Sequence, residues 1–144
     1  MIPVKITVTE GACLPSYQTR GSSGADLHAF LSEALTIEPG SIALVPTGLF
    51  IELPYGYEAQ IRPRSGLALK HGITLLNTPG TIDSDYRGEI KIIMANFGKD
   101  PFVIENGMRI AQMVFARTFR GDFEITGDLS GTDRNEGGFG HSGV

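Results

Sequence analysis

Four polar stretches in this 144-residue chain carry residue types that strands and turns alone do not require. Arg62-Pro63-Arg64-Ser65-Gly66 sets two guanidinium groups, a hydroxyl and a glycine ahead of a short helix-like run. Free N–H groups and the positive dipole end at a helix start attract anions, and glycine lets the backbone approach phosphate oxygens. Arginine adds a two-pronged donor. A surface Arg pair beside an N-capping Ser65 accounts for the same residues. The second stretch, Asn77 to Glu89, carries Asp83 and Asp85 with Tyr86 close behind. In extended geometry the two carboxylates share a face while Ser84 points away. A carboxylate beside a phosphate ester can act as general base toward water. On spacing alone, Asx-type capping of backbone N–H groups is the stronger account.

In the third stretch, Arg109 to Phe115, Arg109 and Gln112 interrupt an otherwise apolar strand. A buried glutamine needs partners, so Gln112 bonds to nearby backbone or faces a ligand or another subunit. The fourth is the tail, where Arg134, Phe139, His141 and Ser142 are interleaved with glycines. It is not a Walker A loop, because Gly-x-x-x-x-Gly-Lys-Ser/Thr is absent. His28, His71 and His141 lack zinc-ligand spacing and are expected at the surface or as satisfied core residues. Ser22, Ser23 and Ser130 have no His/Asp partner set, and no Gly-x-Ser-x-Gly elbow is present.

These residues must be held by β-structure. Ile2, Val4, Ile6 and Val8 alternate with polar residues or proline at the period of a half-buried strand. Further strands are predicted over 42–46, 49–53, 57–62, 73–76, 89–96, 102–104 and 109–117, separated by Pro/Gly/Asn turn clusters. Such spacing suggests a sandwich, jelly roll or barrel. One helical turn is predicted from Ser65 to His71, closed by Gly72 as a C-cap. Leu67, Leu69, Leu75 and Leu76 are expected in the core. Residues 127–144 contain six glycines and cannot fold alone. Composition favours a disordered tail, whereas the interleaved polar and aromatic residues suit an arm that orders over a ligand.

Composition narrows the function. The length fits one domain. A net charge of −4, from 12 basic and 16 acidic residues, is no field for holding duplex DNA or an anionic membrane. An anionic ligand must then be met by a few placed cations and N–H groups. Cys13 is the only cysteine, which excludes an internal disulfide and a thiolate zinc cluster. No apolar run approaches a membrane span, and the N-terminus does not look like a signal peptide. A cytoplasmic enzyme fits best.

Taken together and in order, the polar stretches resemble the motifs of the trimeric dUTPase family. Gly24-Ala25-Asp26-Leu27 resembles the first motif, Arg62 to Ala68 the second and Asn77 to Gly88 the third. Arg109 to Phe115 resembles the fourth, and Arg134 to Gly143 the fifth. The match runs from Ile2 to the C-terminus. Asn135 departs from it, since the family usually has glycine after the arginine of the fifth motif. Asparagine tolerates left-handed backbone better than most residues, so a small effect is expected.

The resemblance implies an all-β fold, a jelly-roll-like distorted barrel or sandwich, assembled as a homotrimer with active sites shared between subunits. Residues 1–127 would be the core, and 128–144 a flexible glycine-rich arm closing over a neighbour's site. It further implies hydrolysis of dUTP to dUMP and pyrophosphate, which keeps uracil out of DNA and supplies dUMP for dTMP synthesis. Asp83 would activate the water that attacks the α-phosphorus. Mg²⁺ on the phosphates would be held by Asp26 through water. Arg64, Ser65, Gly66 and Gln112 would contact the phosphates, with Arg134, Gly140 and Ser142 adding contacts from the arm and Phe139 stacking on uracil. Asn77 with backbone near Gly80, Thr81, Ile82 and Lys91 would match the uracil edge. Tyr86 beneath the sugar would leave no room for a 2′-hydroxyl. Asp85 carries no catalytic assignment, and an inter-subunit ion pair is the favoured expectation for Arg109. No nucleic-acid or membrane partner is implied. A dCTP deaminase-like enzyme and a non-catalytic nucleotide-binding regulatory trimer are the alternatives.

Overall fold

The computed structural model describes residues 1–138. Strands dominate: β1 (Lys5–Val8), β2 (Ala25–His28), β3 (Leu35–Ile37), β4 (Ile42–Pro46), β5 (Leu49–Glu52) and β6 (Tyr57–Arg62) precede helix α1 (Ser65–His71). β7 (Ile73–Leu75), β8 (Gly80–Ile82), β9 (Lys91–Asn96), β10 (Phe102–Ile104) and β11 (Arg109–Arg117) follow. This is the all-β fold expected. No barrel closes among the described residues; the strands form antiparallel sheets ordered β1-β5, β10-β3, β2-β11-β6-β8 and β4-β9-β7.

Four predicted strands form with the expected bounds, and 49–53, 73–76 and 89–96 are trimmed at one end. The amino-terminal alternation starts at Ile2, yet pairing starts at Lys5, opposite Glu52, the last residue of β5. β2, β3 and β8 leave little sign in the sequence. Ala25, Asp26 and Leu27 are all buried, so β2 has no alternation to read. The other two are three residues long, and β8 begins on a glycine that looks like a turn.

Helix α1 forms as predicted, with Gly72 at φ 68° donating its N–H to Ala68 and Leu67 carbonyls. Gly72 is required for a second reason, since a β-carbon there would run into the Gly98 backbone. Ser65 is not the N-cap; Arg64 occupies that position, with no side-chain capping bond. Of the leucines assigned to the core, Leu67 and Leu75 are buried, but Leu69 and Leu76 are exposed. Leu67 is the helix's only buried residue, and a residue two places along a helix points elsewhere. Leu76 lies just beyond the end of β7.

Leu27, Val45, Leu49, Ile61, Ile90, Ile92, Met94, Ile104 and Ile110 form one cluster beneath the sheets. Each such burial contributes about 2 kcal/mol. Asn96, 1% exposed, joins three segments by donating to Ile37 and Asp100 carbonyls and accepting from the Gly98 N–H. Cys13 is exposed. His71 packs on Phe102 with ring centroids 5.2 Å apart. His28 departs from expectation, because its Nδ1 is buried with no hydrogen-bond partner among the described residues.

Candidate active site

One sheet, β2-β11-β6-β8, carries Asp26, Arg62, Thr81, Arg109 and Gln112 of the polar residues singled out in the sequence. Gln112 on β11 lies in register with Asp26 on β2 and with Arg62 on β6. Residues opposite one another across antiparallel strands share a face. Two positions along, Val114 is opposite Gln60, which is opposite Thr81. The other face sends Ala25, Leu27, Ala59, Ile61 and Met113 into the core.

Arg109 and Gln112 are three positions apart, which regular alternation would place on opposite faces. The register shifts between Arg109 and Ala111. This bulge lets Ile110 and Ala111 both enter the core, each 0% exposed, and turns Arg109 and Gln112 to the same side.

That side is an electrostatic cluster around Asp26. Arg109 Nη1 lies 3.1 Å from Asp26 Oδ2, and Arg64 Nε lies 3.5 Å from Oδ1. Arg64 also donates through Nη1 to the Arg109 carbonyl at 2.9 Å. Within its own chain, Arg109 thus has Asp26 as a carboxylate partner. Gln112 donates through Nε2 to the Pro63 carbonyl at 3.0 Å, and its Oε1 lies against Gly24. Arg62 is held along β6 by Gln60, which in turn donates to Glu58. Asp26, Arg62, Arg64, Ser65, Gly66, Arg109 and Gln112 line a cleft of about 370 Å³, joined by Gln18, Ser22 and Ser23, which the sequence does not single out as ligands. Three guanidinium groups against one carboxylate suit an anion. Ser65 and Gly66 open α1, where backbone N–H groups have no partner within the helix.

A second cleft, of about 420 Å³, shares no lining residue with the first. Asn77, Thr81, Ile82, Asp83, Tyr86 and Lys91 line it as the sequence suggests, together with Leu44 and Glu89. Asn77 folds over Gly80, its Nδ2 3.4 Å from where a β-carbon would stand. Asp83 and Asp85 do not share an extended face. β8 ends at Ile82, and a turn through Ser84 and Asp85 is closed by the Tyr86 N–H on the Asp83 carbonyl at 3.2 Å. The Asx-capping account also fails: among the described residues neither carboxylate accepts a hydrogen bond or joins an ion pair. Asp83 also borders a third cleft with Asp85, Tyr55 and Tyr57. The Tyr86 ring covers Gly88, and its hydroxyl donates to the Glu89 carbonyl at 3.0 Å.

Of the predicted tail residues only Arg134 is among the described ones, and it lines neither cleft. Arg134 donates to the nearby Gly137 carbonyl at 2.7 Å. Asn135 has φ 39°, the left-handed backbone its position calls for. Phe139, Gly140 and Ser142 lie outside the described residues. Glu89 falls within the third motif's neighbourhood without an assignment, since nothing in its spacing separates it from an ordinary strand-end glutamate.

The dUTPase family model matches residues 10–143. A deoxyuridine 5′-triphosphate nucleotidohydrolase of Caldanaerobacter subterraneus subsp. tengcongensis is 56% identical over 146 residues, covering 99% of both chains. One from Treponema denticola is 56% identical over 135 residues, covering 94% of both. The fold is similar to that of the Staphylococcus bacteriophage 80alpha dUTPase solved with dUPNHPP, at TM-score 0.90, 23% identity and 99% coverage of both chains. It is also similar to a point mutant of the phage phi11 dUTPase, described with a coordinated structural Mg(II) ion, at TM-score 0.80, 18% identity and coverage of 90% and 99%.

Proposed function

Because the chain belongs to the dUTPase family and hydrolyses dUTP to dUMP and pyrophosphate, we propose that Asp83 deprotonates the water attacking the α-phosphorus, in a site assembled between chains of a homotrimer. The observation that carries this division of labour is the polarity of the two clefts. One holds Arg62, Arg64 and Arg109 around Asp26 and suits a triphosphate. The other holds Asp83 and Glu89 with Lys91 and suits a neutral base and sugar. An anionic tail is drawn to the first and repelled from the second, so the nucleotide has one orientation.

In the base cleft, Asn77 and backbone groups of Gly80, Thr81, Ile82 and Lys91 pair with the uracil edge. Cytosine presents an amino group where uracil has a carbonyl, leaving site groups unpaired, and that mismatch is penalised strongly. Tyr86 stands under the sugar. Asp83 carries a carboxylate with no competing partner among the described residues, as a general base requires. Arg64, Ser65, Gly66 and Gln112 hold the phosphates and orient the leaving pyrophosphate, positioning being most of what phosphoryl transfer needs. The two clefts share no lining residue, and in the proposed trimer one chain supplies the phosphate cleft and a neighbour the base cleft. Residues 128–144 act as an arm over it, with Arg134, Phe139, Gly140 and Ser142 as its contacts.

Mg²⁺ fits only in one way. Among the described residues no three His, Cys, Asp or Glu side chains gather as a cage, and Asp26 already faces two guanidinium groups. Such a donor set would take a hard ion only as one carried on the triphosphate, with Asp26 holding it through its waters. When bound, the ion neutralises charge on the phosphates. A deaminase would need a glutamate free to face the pyrimidine, whereas Glu89 is engaged by Gly48 and Lys91. No helix among the described residues is long and apolar enough to cross a membrane; the cytoplasm is the compartment this function suits. The test is pyrophosphate release from dUTP, dCTP, dTTP and UTP, with and without Mg²⁺. Release confined to dUTP is expected; ammonia from dCTP without pyrophosphate would move the chain to the deaminase reading.

A further inference from the structure

The segment from Asp83 to Gly88, which carries both the proposed base and the sugar wall, is suspended between two anchors. At its start, β8 is paired to β6, with Ile82 opposite Ala59. At its end, Glu89 and Ile90 are tied to the turn between β4 and β5. The Ile90 N–H donates to the Leu49 carbonyl at 2.8 Å, and Thr47 Oγ1 donates to the Ile90 carbonyl at 2.6 Å. Glu89 Oε1 accepts the Gly48 N–H at 2.9 Å. Its other oxygen lies 3.4 Å from Lys91 Nζ, and its carbonyl takes the Tyr86 hydroxyl.

The Gly48 end of this anchor is rigid. Gly48 has φ +67°, and its α-carbon is packed so closely against Ala12 and Phe30 that a β-carbon would collide with Ala12. The Gly48 carbonyl is fixed as well, by the Thr9 N–H at 2.8 Å. Glu89 thus links a fixed point of the core to the peptide on which Tyr86 leans. The ring of Tyr86 rests on Gly88 and its hydroxyl on Glu89, so a shift of Glu89 moves the ring with it.

We propose that Glu89 is the positioning residue of the sugar wall: its bond to the Gly48 N–H holds Tyr86 where a 2′-hydroxyl is excluded. This rests on the assignment of Tyr86 beneath the deoxyribose. The essential contact is an acceptor of the right reach, not the charge. Glu89→Gln keeps an oxygen at that distance, whereas Glu89→Asp keeps the charge but is one methylene short, and Glu89→Ala has neither.

The experiment measures kcat and KM on dUTP and UTP for these three variants and the parent chain, with thermal melting alongside. In discrimination between UTP and dUTP, the expected pattern pairs Gln with the parent and Asp with Ala. In Asp and Ala variants the UTP/dUTP ratio of kcat/KM rises about tenfold, the size of change that loosening one close contact allows, chiefly through a lower KM for UTP. Should Glu89→Ala fail to fold, Glu89→Asp carries the same test. A folded Asp variant with parental discrimination, or a Gln variant as permissive as Ala, would overturn the proposal. If the parent chain itself accepts UTP as readily as dUTP, the fault lies with the Tyr86 assignment instead, and the anchor is not what failed.

Discussion

The Gly24 backbone lies against the Gln112 side chain so closely that a β-carbon at position 24 would overlap Oε1 and crowd Cβ and Cδ. Gly24 precedes β2 and Gln112 sits mid-way along β11, and both line the phosphate cleft, so this contact limits where the Gln112 side chain can lie. Its Nε2 is meanwhile held by the Pro63 carbonyl. Gly24→Ala is expected to displace Gln112, costing about 1–3 kcal/mol of stability as an overpacked contact does. The larger effect falls on function, a rise in KM for dUTP of roughly tenfold, about 1.4 kcal/mol of lost binding. Steady-state kinetics beside thermal melting separate the two, and an unchanged KM would remove Gln112 from the phosphate contacts.

Asp83→Asn keeps the shape of the turn, whose closing bond runs from the Tyr86 N–H to the Asp83 carbonyl and not to the side chain. Folding and dUTP binding should therefore persist. Turnover should fall by a factor on the order of 10²–10⁴, the range lost with a general base. Single-turnover assays with binding measured in parallel are decisive here, and a variant that still turns over at the parental rate removes Asp83 from that role.

Deletion of residues 128–144 is expected to leave a folded protein with poor catalysis. Within the described part of this segment, Leu129 is 89% exposed and Arg134 bonds only to its own neighbourhood. The core beneath ends its last strand at Arg117. Circular dichroism and melting should change little, while kcat/KM falls at least about tenfold, as when binding contacts made in the transition state are lost. Loss of the melting transition would instead make the segment structural.

Acid should weaken the β1–β5 ribbon before the core. Lys5 Nζ donates to Glu52 at 2.6 Å, and this bond and then the Lys5 charge hold the Glu52 carboxyl below its ordinary 4.5, with slight desolvation opposing and Arg87 adding least. A group with a lowered folded-state pKa stabilises above its unfolded value and loses that contribution as pH falls through the folded one. The parent chain should melt slightly above Glu52→Gln at neutral pH, and the gap should close as pH falls below the ordinary carboxylate value. Melting curves across that window check it; a gap that persists into acid means the pair is not its source.

Much of the site is legible in the sequence because its residues break patterns. Arg109 and Gln112 interrupt an apolar strand, and Arg62 to Gly66 stand where a helix begins, so both stand out before any geometry. Asp83 is different. Its spacing from Asp85 suggests a shared extended face, and only the turn at Ser84 and Asp85 separates the two. Glu89 and the serines at 22 and 23 carry no signal, since their part depends on contacts with residues far along the chain. Leu69 and Leu76 mislead because a seven-residue helix buries only one side chain and the strand after it stops at Leu75.

The bulge at Arg109 and Ala111 behaves like a frame shift in a code read two letters at a time. Before it Arg109 faces the cleft; after it Gln112 and Val114 face the cleft while Met113 faces the core. Were the same residues paired without the bulge, a strand held at Gln112 would turn Arg109 inward among apolar side chains. Held at Arg109, it would bury Gln112 and expose Met113. Losing Ile110 or Ala111 has a milder result, because plain alternation then carries Arg109 and Gln112 on one face by itself. Losing Met113 instead would send Val114 inward and turn Phe115 out. The bulge is thus the place where β11 can give up a residue and keep its phase, whereas a deletion beyond it exchanges the chemical face with the packed one in a single step.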